Sequence, residues 1–381
     1  MTSLYLDNAA TTSVRAEVLE AMLPYWTHDF GNPSSHHEVG ETAARALADA
    51  RARIAAILGM RAGDVIFTSG GTEGNNLAIK GIAVAALLGR GARHVVTTPI
   101  EHESILESVA ALERVHGFAS TLVPVDHDAR VDPDAVAAAL RDDTALVSLG
   151  YANNEVGTVQ DVAGVVAAAR ARRIPVHLDA VQAAGWLPLA GLGADAITIA
   201  GHKVGAPKGT GVVAVRGRIP LEPLLHGGGQ ERGRRSGTEN VAGAVGLATA
   251  LELAEAERAE SAGRVTLLRD AFVARVTALV PSARLTGHPT ERLPGTASFT
   301  FAGTSGEAVL LELERRGVVS SSGSACAAGS DEPSHVLVAM GIAPAVAQTA
   351  VRFTFPHDLT GSLDAVADAV AASVTAVHSG P

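Results

Sequence analysis

Cysteine occurs once in the 381 residues, as Cys326. One thiol excludes an internal disulfide framework and every Cys-x-x-C metal or redox motif, so any sulfur chemistry must run through a single side chain. Aromatic residues make up only 3% of the chain, which leaves alanine, valine and leucine to fill the core that a 47% hydrophobic composition calls for. Basic residues number 30 against 40 acidic ones, a net charge of −10. That balance argues against a general nucleic-acid binder, which needs a basic face to displace counterions from phosphates. No run reaches the ~18 consecutive apolar residues of a membrane span. The opening Met1-Thr-Ser-Leu-Tyr-Leu-Asp7 has neither the basic nor the apolar part of a signal peptide. A cytoplasmic protein with no membrane segment is expected.

Lysine is nearly as scarce as cysteine. It stands at positions 80, 203 and 208, and the other 27 of the 30 basic residues are arginine. A compositional bias toward arginine accounts for this, yet it has a chemical consequence. Guanidinium cannot form a Schiff base, so a surviving lysine marks a place where a deprotonatable amine would be needed.

Short β-branched runs punctuate the first two-thirds of the chain, at 65–67, 94–97, 121–125, 145–148, 176–178, 196–199 and 211–215. Between several of them lie runs of helical spacing, at 73–88, 103–116, 133–140 and 161–173, with Pro133 at a first helical position. This alternation predicts an α/β fold, a largely parallel sheet covered by helices. After about residue 238 an Ala/Glu/Leu/Arg stretch to about 280 predicts one or two helices. Strands return at 297–301 and 351–355, with helices at 306–316 and 362–377. A domain boundary is expected near 257, and the small-residue stretch 320–330 is long for a tight turn.

Three segments carry candidate chemistry. Ser69-Gly-Gly-Thr-Glu-Gly-Asn-Asn76 follows a strand and opens a helix, so its N–H groups and the Thr72 hydroxyl suit a phosphate, or else form an ordinary glycine turn capped by Thr72. Neither G-x-x-x-x-G-K-[ST] nor G-x-G-x-x-G is present, which disfavours an ordinary nucleotide site. Asp179 ends the strand Val176-His-Leu-Asp179, near the edge where α/β sheets bind ligands, or caps a following helix. Lys203 follows the next strand in Ala200-Gly-His-Lys203, whereas Lys208 sits in a glycine-rich turn and Lys80 about two turns into a helix. Anion cup, acid and lysine together meet the needs of pyridoxal 5'-phosphate: a phosphate seat, a partner for the pyridine nitrogen and an amine.

Ten ordered motifs extend the pattern. They are Tyr5-Leu-Asp-Asn-Ala-Ala-Thr-Thr12, Gly31-Asn-Pro-Ser-Ser-His36, Phe67-Thr-Ser-Gly-Gly-Thr-Glu-Gly-Asn-Asn76, Glu101-His102, Tyr151-Ala-Asn-Asn-Glu-Val-Gly157, His177-Leu-Asp-Ala-Val-Gln182, Gly201-His-Lys203, Gly227-Gly-Gly-Gln-Glu-Arg232, Arg235-Ser-Gly-Thr-Glu-Asn240 and Gly323-Ser-Ala-Cys326. In this order the chain resembles the pyridoxal-phosphate cysteine desulfurases of the NifS type, in the class V aminotransferase family. The resemblance implies the fold type I of pyridoxal-phosphate transferases. A large domain over 16–257 would hold the cofactor, and a smaller α+β domain of 1–15 plus 258–381 would carry the catalytic cysteine loop. It implies that Lys203 holds the cofactor, Asp179 pairs with the pyridine nitrogen and Gln182 contacts the phenolic oxygen. His102 would stack on the ring and move protons, and Asn154 would lie beside the substrate. Gly71, Thr72 and His202 would seat the phosphate, joined by Thr238 of a second subunit in a homodimer, and Arg352 would take the substrate carboxylate.

Cys326 decides the reaction class. Its small-residue surroundings offer little bulk to bury it, and the following Glu332-Pro-Ser-His-Val-Leu337 resembles the desulfurase subgroup with a long catalytic loop. The implied reaction converts L-cysteine to L-alanine and leaves a persulfide on Cys326, for an iron–sulfur scaffold or another sulfur acceptor. No metal, nucleic acid or membrane is implied. A selenocysteine lyase is the competing reading on the same scaffold, and a non-catalytic sulfur-transfer or scaffold-binding protein is the competitor from another class. Three departures from the family pattern stand out: Ala200 in place of a common serine, Val204-Gly-Ala-Pro207 after the lysine, and Pro356 after the Arg352 strand.

Overall fold

The computed structural model describes residues 3–323 and 332–378. Leu4–Tyr5 forms a short strand, β1, and seven strands follow that build one sheet: β2 (Val65–Thr68), β3 (His94–Thr97), β4 (Ala119–Leu122), β5 (Thr144–Gly150), β6 (Val176–Asp179), β7 (Ala196–Ala200) and β8 (Gly211–Val215). Their spatial order is β2-β8-β7-β6-β5-β3-β4. β8 runs antiparallel to both neighbours, while β7, β6, β5, β3 and β4 pair in parallel. Each of the seven corresponds to an expected run, and one is displaced. Pro124 has no N–H to give a ladder, so the strand expected over 121–125 lies at Ala119–Leu122, and Val125 makes only an isolated bridge to Val131.

Helices cover both faces, which is why the central strands are apolar on both sides rather than alternating. Glu38–Leu58, Pro133–Ala139, Val162–Ala171 and the first half of Val241–Leu279 enclose one core; Gly71–Arg90 and Glu103–His116 enclose the other face. The helix Glu38–Leu58 has no counterpart among the expected elements. Its buried face is Gly40, Ala43, Leu47, Ala50, Arg51, Ile54, Ala55 and Leu58, at helical spacing. Among the described residues no helix is long and apolar enough to cross a membrane.

A second assembly forms from β9 (Ala283–Leu285), β10 (Thr296–Phe301), β11 (Val318–Val319) and β12 (Ala350–Thr354). β10 is flanked antiparallel by β9 and β12, and β11 pairs in parallel with β1. The 39-residue helix Val241–Leu279 joins the two assemblies. Its residues up to Ala254 pack in the first core, and Val265, Phe272 and Val276 pack in the second together with Leu6. That changeover supports a domain division near residue 257, with the N-terminal segment 1–15 assigned to the smaller domain, and we propose those boundaries.

Aliphatic residues fill the first core as expected and make up most of the second, which adds a cluster of aromatic rings. Five of the eight phenylalanines, Phe272, Phe299, Phe301, Phe353 and Phe355, meet there. Phe272 stands edge-on to Phe353, Phe355 and Phe299, at centroid distances of 5.2, 5.5 and 6.1 Å. Such contacts exploit the positive ring edge and negative ring face. Removing the hub leaves a cavity that three rings cannot close, so Phe272→Ala is expected to lower stability by about 3–5 kcal/mol. Urea unfolding of the variant beside the parent chain measures this; a loss under about 1 kcal/mol would show that the cluster repacks.

Candidate active site

The carboxyl ends of β3, β5, β6 and β7 open on one cavity of about 580 Å³. Gly71, Thr72, His102, Asn154, Asp179, Gln182, His202, Lys203 and Arg352 all line it. Residues expected to act together from positions 281 apart in sequence are thus brought into one space. Thr238 does not line this cavity and is exposed on the surface of the same chain. Cys326 lies outside the described residues, but Gly323 and Glu332, the described residues on either side of its segment, both line the cavity.

One end of the cavity suits an anion. The 20-residue helix Gly71–Arg90 begins at Gly70 with no side-chain cap, which leaves its first N–H groups and positive dipole end without a side-chain acceptor; its first residues, Gly71 and Thr72, line the cavity together with His202. Glycine is required in the turn's surroundings: a Cβ on Gly211 would lie 2.5 Å from the Gly70 Cα. Burial, helped by the Lys203 and Lys208 cations, pushes His202 down to about 4, so its ring is neutral at pH 7. Its Nδ1 lies 3.1 Å from the Thr11 hydroxyl. The outer side of the turn is braced by Glu73, which accepts from the Ser69 N–H at 2.8 Å and pairs with Arg235 at 2.8 Å.

Further in, the charged groups are held by backbone. Asp179 accepts from the Val181 N–H through Oδ1 at 2.9 Å and from the Asn75 amide through Oδ2 at 2.6 Å. Lys203 donates from Nζ to the carbonyls of Ala9 and Ala10, the latter at 2.8 Å, and Gln182 donates to the Ala9 carbonyl at 3.1 Å. The segment 9–12 is therefore part of the site, tied down also by the Thr12 N–H, which donates to the His202 carbonyl at 2.9 Å. An uncapped helix end with a hydroxyl and a neutral imidazole, a carboxylate and an amine form a donor set that fits the phosphate, ring nitrogen and aldehyde of pyridoxal phosphate. Among the described residues no group of His, Cys, Asp or Glu side chains could hold a metal ion.

The opposite end is built around Arg352, which is 2% exposed. Its Nη2 donates to Asp7 at 2.7 Å, and its Nη1 donates to the carbonyls of Asn154 at 2.7 Å and Gly323 at 3.3 Å. Its buried Nε has no hydrogen-bond partner among the described residues. Glu155 and Ser334 add a second tie, the Ser334 hydroxyl donating to Glu155 Oε2 at 2.5 Å while capping the helix His335–Ala339. His335 reaches the Glu101 carbonyl at 3.0 Å. Asp7, Asn75, Glu101, Glu155, Ser334 and His335 escape a reading of the sequence for roles. Asp7, Asn75, Glu101 and Glu155 lie inside the recognisable motifs, but their partners are 345, 104, 49 and 179 residues away.

The family model of the class V aminotransferases matches residues 4–361. The chain is 46% identical over 354 residues to the cysteine desulfurase IscS of Methanosarcina thermophila, covering 92% of this chain and 87% of that protein. It is 44% identical over 368 residues to the cysteine desulfurase IscS of Dictyoglomus turgidum, covering 95% and 93%. Among solved structures it is similar to a NifS-like protein with a TM-score of 0.88 and 35% identity, covering 99% of this chain and 98% of that one.

Glu101 gives the cavity wall a measurable signature. Its carboxyl accepts from the Thr98 hydroxyl at 2.6 Å and from the Gly150 N–H at 2.7 Å. Burial nevertheless pushes it up to about 8, and the neighbouring Asp179 charge pushes the same way. In the unfolded chain it ionises in the ordinary glutamate range. The neutral form therefore stabilises the fold fully below that range, and the stabilisation is lost as pH rises through the interval up to about 8. Glu101→Gln removes this titration. The urea midpoint of the parent chain is expected to fall more steeply than that of the variant between about pH 5 and 8; equal slopes would mean that Glu101 is ionised in the fold.

Proposed function

This chain belongs to the aminotransferase class V family, and from that membership we propose how its site works: it is a pyridoxal-phosphate-dependent cysteine desulfurase that converts L-cysteine to L-alanine. The observation that carries the assignment of roles is the convergence of Lys203, Asp179 and the uncapped helix at Gly71 on one cavity, beside both described ends of the Cys326 segment.

When bound, pyridoxal phosphate supplies an aldehyde for the substrate amine and an electron-accepting ring. The chain's residues do the rest. Gly71, Thr72 and His202 would seat the phosphate, and Lys203 would hold the aldehyde end. Asp179 would offer its carboxylate to the ring nitrogen, Gln182 its amide to the phenolic oxygen, and His102 would lie against the ring. Arg352, with Asn154 beside it, receives the substrate carboxylate; its buried Nε, without a hydrogen-bond partner among the described residues, supports this, and Asp7 orients the guanidinium from its far corner. Lys203 Nζ, once released by the incoming amine, accepts the proton from the substrate α-carbon. The Cys326 thiolate then attacks the substrate sulfur: the carbon–sulfur bond breaks, a sulfur–sulfur bond forms on Cys326, and the carbon skeleton takes up a proton and leaves as alanine.

The protein would work as a homodimer, since Thr238 is exposed on its own chain and therefore available to the phosphate seat of a second copy. An iron–sulfur scaffold or another acceptor protein would take the persulfide sulfur, and a lone cysteine suits the reducing cytoplasm.

Two variants test the division of labour. Lys203→Ala is expected to lose the covalently held cofactor, while Lys208→Ala keeps it; borohydride reduction and peptide mapping locate the label, and label on Lys208 would overturn the assignment. Cys326→Ser is expected to load cofactor and respond spectrally to L-cysteine, yet release almost no alanine, because a serine hydroxyl is a far poorer nucleophile toward sulfur than a thiolate. Full turnover of L-cysteine by this variant would remove the persulfide mechanism. Turnover surviving with selenocysteine alone would point instead to a selenocysteine lyase.

A further inference from the structure

His102 caps the helix Glu103–His116 with its own ring. Nδ1 accepts from the Ser104 N–H at 3.0 Å, and the Ser104 hydroxyl lies 2.8 Å from the same nitrogen. A backbone N–H can only donate, so Nδ1 must carry a lone pair there. The direction of the hydroxyl follows from its other neighbour. Asn75 is 1% exposed and Ser104 7%, too little for water to substitute. The Asn75 side chain lies 2.6 Å from Asp179 Oδ2 and 2.9 Å from Ser104 Oγ through the same atom. Because a carboxylate only accepts, that atom is the amide nitrogen, and its second hydrogen goes to Ser104 Oγ. The Ser104 hydroxyl, accepting from Asn75, spends its one proton on His102 Nδ1. The polarity of the chain Asp179–Asn75–Ser104–His102 is thus set at its acidic end.

We propose that Ser104 and Asn75 are positioning residues that hold the neutral His102 ring with its proton on Nε2, so that the resting ring meets its cavity neighbours as a hydrogen-bond donor. The family resemblance suggested a ring that moves protons. Here withdrawing one through Nε2 would first require placing a hydrogen on Nδ1, against two donors aimed at it. At rest the ring then presents its Nε2 hydrogen to what lies against it, while Lys203 removes the α-proton. This last consequence rests on the desulfurase reading; the tautomer does not.

The test is the nitrogen spectrum of holoenzyme labelled with 15N-histidine, recorded where the ring is neutral, with the His102 signals identified by their loss in His102→Gln. The expected result is a single tautomer protonated at Nε2. Ser104→Ala removes one of the two donors and is expected to lower the Nε2-H to Nδ1-H ratio about fivefold, the equivalent of one hydrogen bond of about 1 kcal/mol. It should reduce kcat with KM unchanged, and Ser104→Thr should restore both. A wild-type ring protonated at Nδ1 would overturn the proposal, as would a Ser104→Ala variant whose tautomer ratio does not move. Should that variant fail to fold, the wild-type spectrum decides alone. A correct tautomer in an enzyme that does not release alanine would leave the proposal standing and overturn the functional reading.

Discussion

The carboxylate of Asp179 has both oxygens committed, one to the Val181 N–H and one to the Asn75 amide, and the rest of the site is organised from that point. It stands at the end of β6, in register with Gly150 at the end of β5, whose N–H meets Glu101. Its charge adds to the burial that keeps Glu101 protonated, and its accepting oxygen sets the direction of the hydrogen bonds that reach His102. Parallel strands make this possible, because they deliver their carboxyl ends to one edge and so gather side chains from distant parts of the chain.

A second constraint ties the two cores together. Arg352 projects from β12 of the phenylalanine-rich assembly, and its guanidinium is shared between Asp7 of the N-terminal segment and the carbonyls of Asn154 and Gly323. A buried guanidinium is costly unless its donors are met, so the four segments must hold one arrangement. The same N-terminal segment supplies the Ala9 and Ala10 carbonyls to Lys203 and pairs β1 with β11. The place where substrate would bind is thereby built from both ends of the chain.

Strand and helix periodicity made most of the architecture legible, since apolar runs of three to five residues between helical stretches leave few alternatives. It missed the helix Glu38–Leu58, which precedes the first strand of the large sheet and so has no strand–helix alternation to frame it, and it misplaced the strand displaced by Pro124. The scarcity of aromatic residues was read as an aliphatic interior, yet most of the phenylalanines gather in the smaller core, because composition reports amounts and not places. In the site, residues whose chemistry is particular were legible singly: the lysine that an arginine could not replace, the acid at a strand end, the lone thiol. Asp7, Asn75, Glu155 and Ser334 were not, since their importance lies in a partner and not in a type.

The sequence by itself determined the reaction class, because chemistry depends on which functional groups exist: one lysine after a strand, one acid before it, one cysteine, and motifs in an order that few folds share. Only the tertiary structure decided how those groups are poised. Whether His202 is neutral depends on burial beside two lysines, the state of Glu101 on its exclusion from water, and the lone pair on His102 Nδ1 on the Ser104 N–H that donates to it. These are properties of distance and dielectric, which a linear order of residues does not contain until the chain has folded.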